Sequence, residues 1–286
     1  MPGLEDRIND SITHMPALSP TVSKVIETAN NLAASPRDMV KVIKMDPVLT
    51  AKVQKLINSS FFGMAQEITS VDRAVILLGI NTVKNLALST AVIAAMDQGP
   101  RATIDMAGIW SHSLAVAVGA KLIAKRQGVD PKTLDEYFIG GLVHDIGTIL
   151  IMQYMPKEYT AIVAKLAGDQ AGVLIEEQEA LGMTHTGIGG LIAQKWKLNE
   201  NVRAAIQQHH DPDQIGEHVQ FVNVINLADW AAQHHGFTFA GDQLIPEADF
   251  MVLDTMGLSE QDVLAATADL KDQVEKASIF LKTARG

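Results

Sequence analysis

The chain has 286 residues and a formal net charge of −10, with a pI near 5.3. Such an acidic balance argues against a general phosphate-backbone surface, so bulk nucleic-acid binding is not expected. Cysteine is absent, which excludes disulfides, thiolate metal sites and thiol nucleophiles together.

Hydrophobic residues make up 47% of the chain, enough for two packed subdomains or one large helical domain. Met1–Pro20 lacks the basic-then-apolar pattern of a secretion signal. The longest apolar runs, such as Leu86–Met96, read as too short and interrupted to span a bilayer. A soluble cytoplasmic protein, with no membrane association, is the expectation. Aromatics are only 5% and apolar residues recur at helical spacing, which predicts an all-α fold.

In chain order, Ser35-Pro36 and Asp46-Pro47 each set a capping side chain before a proline suited to the first helical position. Ser70 can cap Val71–Leu78. A long apolar helix, Thr82–Met96, closes at Asp97-Gln98-Gly99-Pro100, the best internal boundary. The second half predicts helices over Ile109–Arg126, Leu134–Tyr154, His185–Trp196, Glu200–His210 (capped by Asn199) and Val219–His234, with one more in Pro156–Gly182. Beyond Gly236 the chain loosens, then ends in one amphipathic helix, Glu260–Lys282. Its stripe of Val263, Ala266, Leu270, Val274, Ala277 and Leu281 should pack on the body, a homodimer contact being the alternative. The units are therefore 1–105, 106–235 and 236–286.

The chemistry centres on Gly140-Gly141-Leu142-Val143-His144-Asp145-Ile146-Gly147. An unpaired carboxylate in such apolar surroundings costs several kcal/mol, so it calls for a cation or hydrogen bonds. Helical periodicity sets other polar groups on apolar faces: His112 with Val116 and Ile123, His185 with Ile188 and Ile192, His209 with Val202 and Ile206, and Asp229 with Val222 and Ile225. Taken singly, an inward histidine is more often a core residue bonded to a carbonyl than a ligand. Jointly these groups need a common counter-ion, and a divalent metal supplies one. Donors of this kind suit iron, manganese, nickel or zinc. His112, His144, Asp145 and Asp229 would form one mononuclear set, and His185 with His209 or His210 could hold a second metal bridged by Asp145. The glycines beside His144 would let a helix or a ligand approach closely. His14 and His234-His235 read as solvated, and Trp196 and Trp230 as packing anchors.

The order His112, His144-Asp145, His185, His209-His210, Asp229 resembles the HD superfamily of metal-dependent phosphohydrolases. Met15-Pro16-Ala17-Leu18-Ser19-Pro20, Asp46-Pro47-Val48-Leu49-Thr50-Ala51-Lys52-Val53 and Ile57-Asn58-Ser59-Ser60-Phe61-Phe62-Gly63 narrow it, because they look like the N-terminal signature of HDOD domains. Val75–Ile80 and Lys84-Asn85-Leu86-Ala87 continue that pattern. The resemblance implies an N-terminal helical bundle packed against an HD-like helical bundle, and a stand-alone bacterial signalling or regulatory protein. Its partners would be signalling proteins or a small nucleotide acting in trans. It also implies, as the alternative activity, a phosphohydrolase acting on a nucleotide or phosphate ester with His144 and Asp145 as its catalytic pair. Related HD-GYP phosphodiesterases carry a lysine where Thr148 stands and a Gly-Tyr-Pro signature that Asp211-Pro212-Asp213 lacks, so cyclic dinucleotide hydrolysis is not implied.

Overall fold

The structure, a computed structural model, describes residues 4–31, 33–97, 106–167, 172–212, 216–239 and 247–285. Within them every regular element is a helix. The N-terminal half holds α1 (Leu4–His14), α2 (Pro20–Asn30), α3 (Pro36–Lys44), α4 (Pro47–Ile57), α5 (Val71–Leu78) and α6 (Ile80–Met96). The cap chemistry explains where several of these start. Asp46 Oδ1 accepts from Leu49 N at 2.9 Å, Ser70 Oγ accepts from Arg73 N at 3.3 Å, and Asp38 Oδ2 accepts from Ser35 N at 3.0 Å. Each satisfies a donor that a helix start leaves unpaired.

The second half comprises α7 (Met106–Arg126), α8 (Leu134–Val143), α9 (Ile146–Tyr154), α10 (Pro156–Leu166), α11 (Val173–Leu181), α12 (His185–Lys195), α13 (Glu200–Gln208) and α14 (Val219–His234). The predicted helix Leu134–Tyr154 is interrupted at His144-Asp145, where the chain leaves helical geometry before α9. Pro156–Gly182 yields two helices rather than one, on either side of 168–171, which lie outside the described residues. The predicted boundary likewise runs into 98–105, outside them beyond Asp97.

One expectation is corrected. By length and composition α7 could cross a bilayer, and two bent helix pairs could do so if each is counted as one span. Ser111, His112 and Lys121 hide this in the sequence. In the fold, α7 packs against α8 and α14, and Ile109, Trp110, Val116, Ala120 and Ile123 along it are buried.

The predicted C-terminal helix is likewise three short ones after α15 (Phe250–Met256): α16 (Glu260–Ala266), α17 (Leu270–Ala277) and α18 (Ile279–Arg285). Thr267 is buried and stands at the first break. Its hydroxyl donates to Val263 O at 2.9 Å and lies 3.1 Å from His235 Nε2. The breaks let α17 follow α7 while α18 turns onto α4 and α6. Phe280 thereby reaches Phe61 at 5.4 Å and Phe138 at 4.8 Å between ring centres, joining both halves through one aromatic cluster. Lys195 adds a polar tie, donating to the carbonyls of Ile12, Thr13 and Met15 at the C-terminal end of α1.

Candidate metal centre

The break between α8 and α9 places an imidazole and a carboxylate side by side, and two glycines bring neighbouring helices onto them. A Cβ on Gly141 would lie 2.7 Å from backbone atoms of Ala117 on α7. One on Gly147 would lie 2.0 Å from the His185 carbonyl oxygen. Neither position admits a side chain without moving a helix, so glycine sets the spacing that carries His112 and His185 to the break. Helices, rather than a ligand, occupy those approaches.

All seven sequence-predicted residues meet here. Asp145, His185, His209 and His210 each offer one ligand atom within 4.8 Å of the others, and His112, His144 and Asp229 form a second such group. Asp145 lies between them: its Oδ2 is 3.5 Å from His144 Nε2, and its Oδ1 is 3.5 Å from His185 Nε2 and 3.7 Å from His209 Nε2. Tight grouping thus assigns Asp145 to the His185 set first, with the His144 set at its other oxygen. His112 Nε2 is 3.1 Å from Asp229 Oδ1. His112, His144, Asp145, His185 and His209 are buried, Asp229 is half-buried and His210 is exposed.

The outward ring nitrogens fix the tautomers. His112 Nδ1 lies 2.9 Å from Phe237 O, His144 Nδ1 2.8 Å from Gly141 O, and His209 Nδ1 3.1 Å from Ala205 O. Carbonyls only accept, so each Nδ1 carries its hydrogen, and a neutral ring then offers an Nε2 lone pair inward. Glu177 does the same for His185: its Oε2 accepts from both Nδ1 and the backbone N at 2.7 Å. Glu177 escaped the sequence reading because it sits in an acidic run on α11 that looks like a solvated face. Thr148 donates to Asp145 Oδ1 at 3.2 Å, and Gln233 donates to Asp229 Oδ1 at 3.1 Å.

The electrostatics follow from this crowding. Burial, only partly offset by Asp145, pushes the His144 ring down to about 4, leaving it neutral near pH 7. Burial also works against the charge on Asp145, but His144, His209 and His185 outweigh it and hold the carboxyl well below its usual range. Burial opposes protonation of His112 and His185, yet Asp229 and Glu177 respectively overcome it and raise both rings. His144 Nε2 is buried and has no hydrogen-bond partner. A buried lone pair aimed at other acceptors is a poor end state for a neutral ring and a good one for a ligand. Nitrogen and oxygen donors converging without sulfur fit a divalent transition metal.

These features define an all-helical bundle with a buried His/Asp cluster able to hold metal. The HDOD domain family matches residues 15–212, and the chain belongs to that family. A protein from Shewanella amazonensis SB2B, named as a "Putative phosphohydrolase", has a crystal structure with a TM-score of 0.73 at 25% identity, covering 97% of this chain and 98% of that one. An HDOD domain protein of unknown function from Geobacter sulfurreducens shares the fold with a TM-score of 0.74 at 24% identity, covering 96% and 97%. An uncharacterized protein from Treponema pallidum (strain Nichols) is 26% identical over 211 residues, 73% of this chain and 39% of that protein. The chain therefore spans about two-fifths of that relative's length.

Proposed function

We propose that this HDOD protein is a regulatory module whose HD half is a two-metal centre competent to hydrolyse a phosphate ester. The observation that carries the reading is the set of inward Nε2 atoms around Asp145, with His144 Nε2 buried and unpartnered. His185, His209, His210 and Asp145 would hold one ion, and His112, His144 and Asp229 the other, with Asp145 reaching both. Iron, manganese, nickel and zinc all fit such donors. When bound, a divalent ion acidifies water and neutralises phosphate oxygens. The protein's own part is orientation. Glu177 fixes His185, carbonyls fix three other rings, and Thr148 holds Asp145. Tyr159, Ile162, Leu166 and Phe239 wall the cavity and restrict bulk water. At the position of the HD-GYP lysine, Thr148 supports a ligand instead of supplying a phosphate-binding cation.

The name of the Shewanella protein agrees with a hydrolytic centre. The regulatory half of the reading draws on Met45, Val48, Ile76 and Leu77, large apolar side chains left exposed around α3 to α5, where a signalling partner in trans could dock. Turnover of an aryl phosphate by protein supplied with Mn(II) tests the centre. His144→Ala and Asp145→Ala should each abolish turnover and lower bound manganese. Turnover that persists in both variants would remove the hydrolytic reading and leave a regulatory domain.

A further inference from the structure

We infer that this cavity selects phosphate esters bearing one negative charge and an apolar group, and disfavours nucleotides. The inference rests on the two-metal reading above. Three carboxylates face the cavity: Asp145, Glu177 and Asp229. Against two divalent ions carrying neutral water they leave a single net positive charge, which one monoanionic ester neutralises. Each further phosphate charge would enter a low-dielectric site without a counter-charge, where unmatched charge is costly.

Among the described residues that line the cavity there is no lysine or arginine. The sequence around it is equally bare, with neither residue type between Lys165 and Lys195 or between Arg203 and Lys271. These two stretches carry Glu177, Asp229 and three histidines of the cluster, His185, His209 and His210. A site built for polyphosphate places basic side chains or a glycine-rich phosphate loop at the phosphates, and among the described residues neither lines this cavity.

The wall away from the histidines is apolar. Ile162, Val163 and Leu166 from α10, Val173 from α11 and Phe239 compose it. This apolar wall favours a short hydrocarbon or single-ring substituent over a ribose, whose hydroxyls would be buried without partners.

Binding to the manganese-loaded full chain tests this, with metal content measured in the same samples. Four probes separate charge from apolarity: methyl phenylphosphonate, dimethyl phosphate, AMP and ADP. Methyl phenylphosphonate should bind about tenfold tighter than dimethyl phosphate, through burial of its ring, and more than tenfold tighter than AMP or ADP. Val163→Lys, at a half-buried position on that wall, should raise AMP affinity relative to methyl phenylphosphonate by about tenfold. Manganese retained with AMP or ADP bound as tightly as methyl phenylphosphonate would overturn the selectivity and spare the metal reading. An unchanged ratio in a Val163→Lys protein of normal metal content would do the same. A chain that retains no manganese and binds none of the probes would overturn both.

Discussion

In the N-terminal half, Val25, Met39, Ile43, Val53 and Ile57 fill a mainly apolar core, whose buried Thr28, Ser89 and Thr90 bond to carbonyls of their own helices, whereas the second half buries His112, His144, Asp145, His185 and His209 at 6% exposure or less. The first region is stabilised by removing hydrocarbon from water, a force without direction that tolerates repacking. The second has taken polar groups out of water and must replace each lost hydrogen bond. It does so on the outer side of every ring, through carbonyls and Glu177, while His144 Nε2 is left unmatched inside. Burying polarity on this scale is what the proposed metal centre would explain. The two halves should therefore answer differently to the same class of mutation.

The largest difference is expected at the helix crossing. In Gly147→Ala the new methyl would stand 2.0 Å from the His185 carbonyl oxygen and 2.9 Å from Gly189 N, so α9 and α12 must separate. We expect destabilisation of about 3 kcal/mol or more and loss of bound metal, read by denaturant titration and elemental analysis. In the apolar half, Val53→Ala should cost about 2 kcal/mol while metal content stays as in the parent. Metal retained at full stoichiometry in Gly147→Ala would show that the crossing does not set the ligand spacing.

Next in size is Glu177→Gln. The amide oxygen can still accept from His185 Nδ1, so the fold is spared, but the carboxylate charge that raises the basicity of the ring is gone. Metal affinity should fall about tenfold or more, measured by competition with a chelator, with little change in melting of the metal-free protein. Equal affinity in the two proteins would mean Glu177 only fills space.

How much of this was legible in the sequence depends on the range of the interaction. Caps were legible, since Asp46, Ser70 and Asn199 act within three residues of themselves. So were the inward positions of His112, His185 and His209, because helical periodicity is local. The surface reading of His14 and His234 and the buried reading of Trp196 and Trp230 hold for the same reason. The break at His144-Asp145 was not legible, because an apolar run through both residues satisfies a helical pattern and only tertiary contacts end it. Glu177 was hidden among neighbours of like charge, and its partner lies eight residues on, across the turn into α12. The C-terminal stripe was legible as apolar but not as broken. Phe280 must turn toward Phe61 and Phe138, and neither is near it in sequence.

The smallest effect sharpens the comparison from the other side. Asp46 caps α4 through Leu49 N, and Asp46→Ala should cost about 1 kcal/mol by leaving that donor to water. Because α18 packs on α4 and Lys52 of α4 donates to the Ala284 carbonyl at 2.9 Å, loosening α4 also loosens the joint that Phe280 makes between the halves. If the halves unfold as one unit, the melting transition shifts as a whole and metal content stays fixed. If they are separable, only an early, metal-independent part of the transition moves. Loss of metal in Asp46→Ala would instead mean that the apolar half holds the ligand cage in shape, and the division of labour between packing and polarity would no longer follow the boundary between the two bundles.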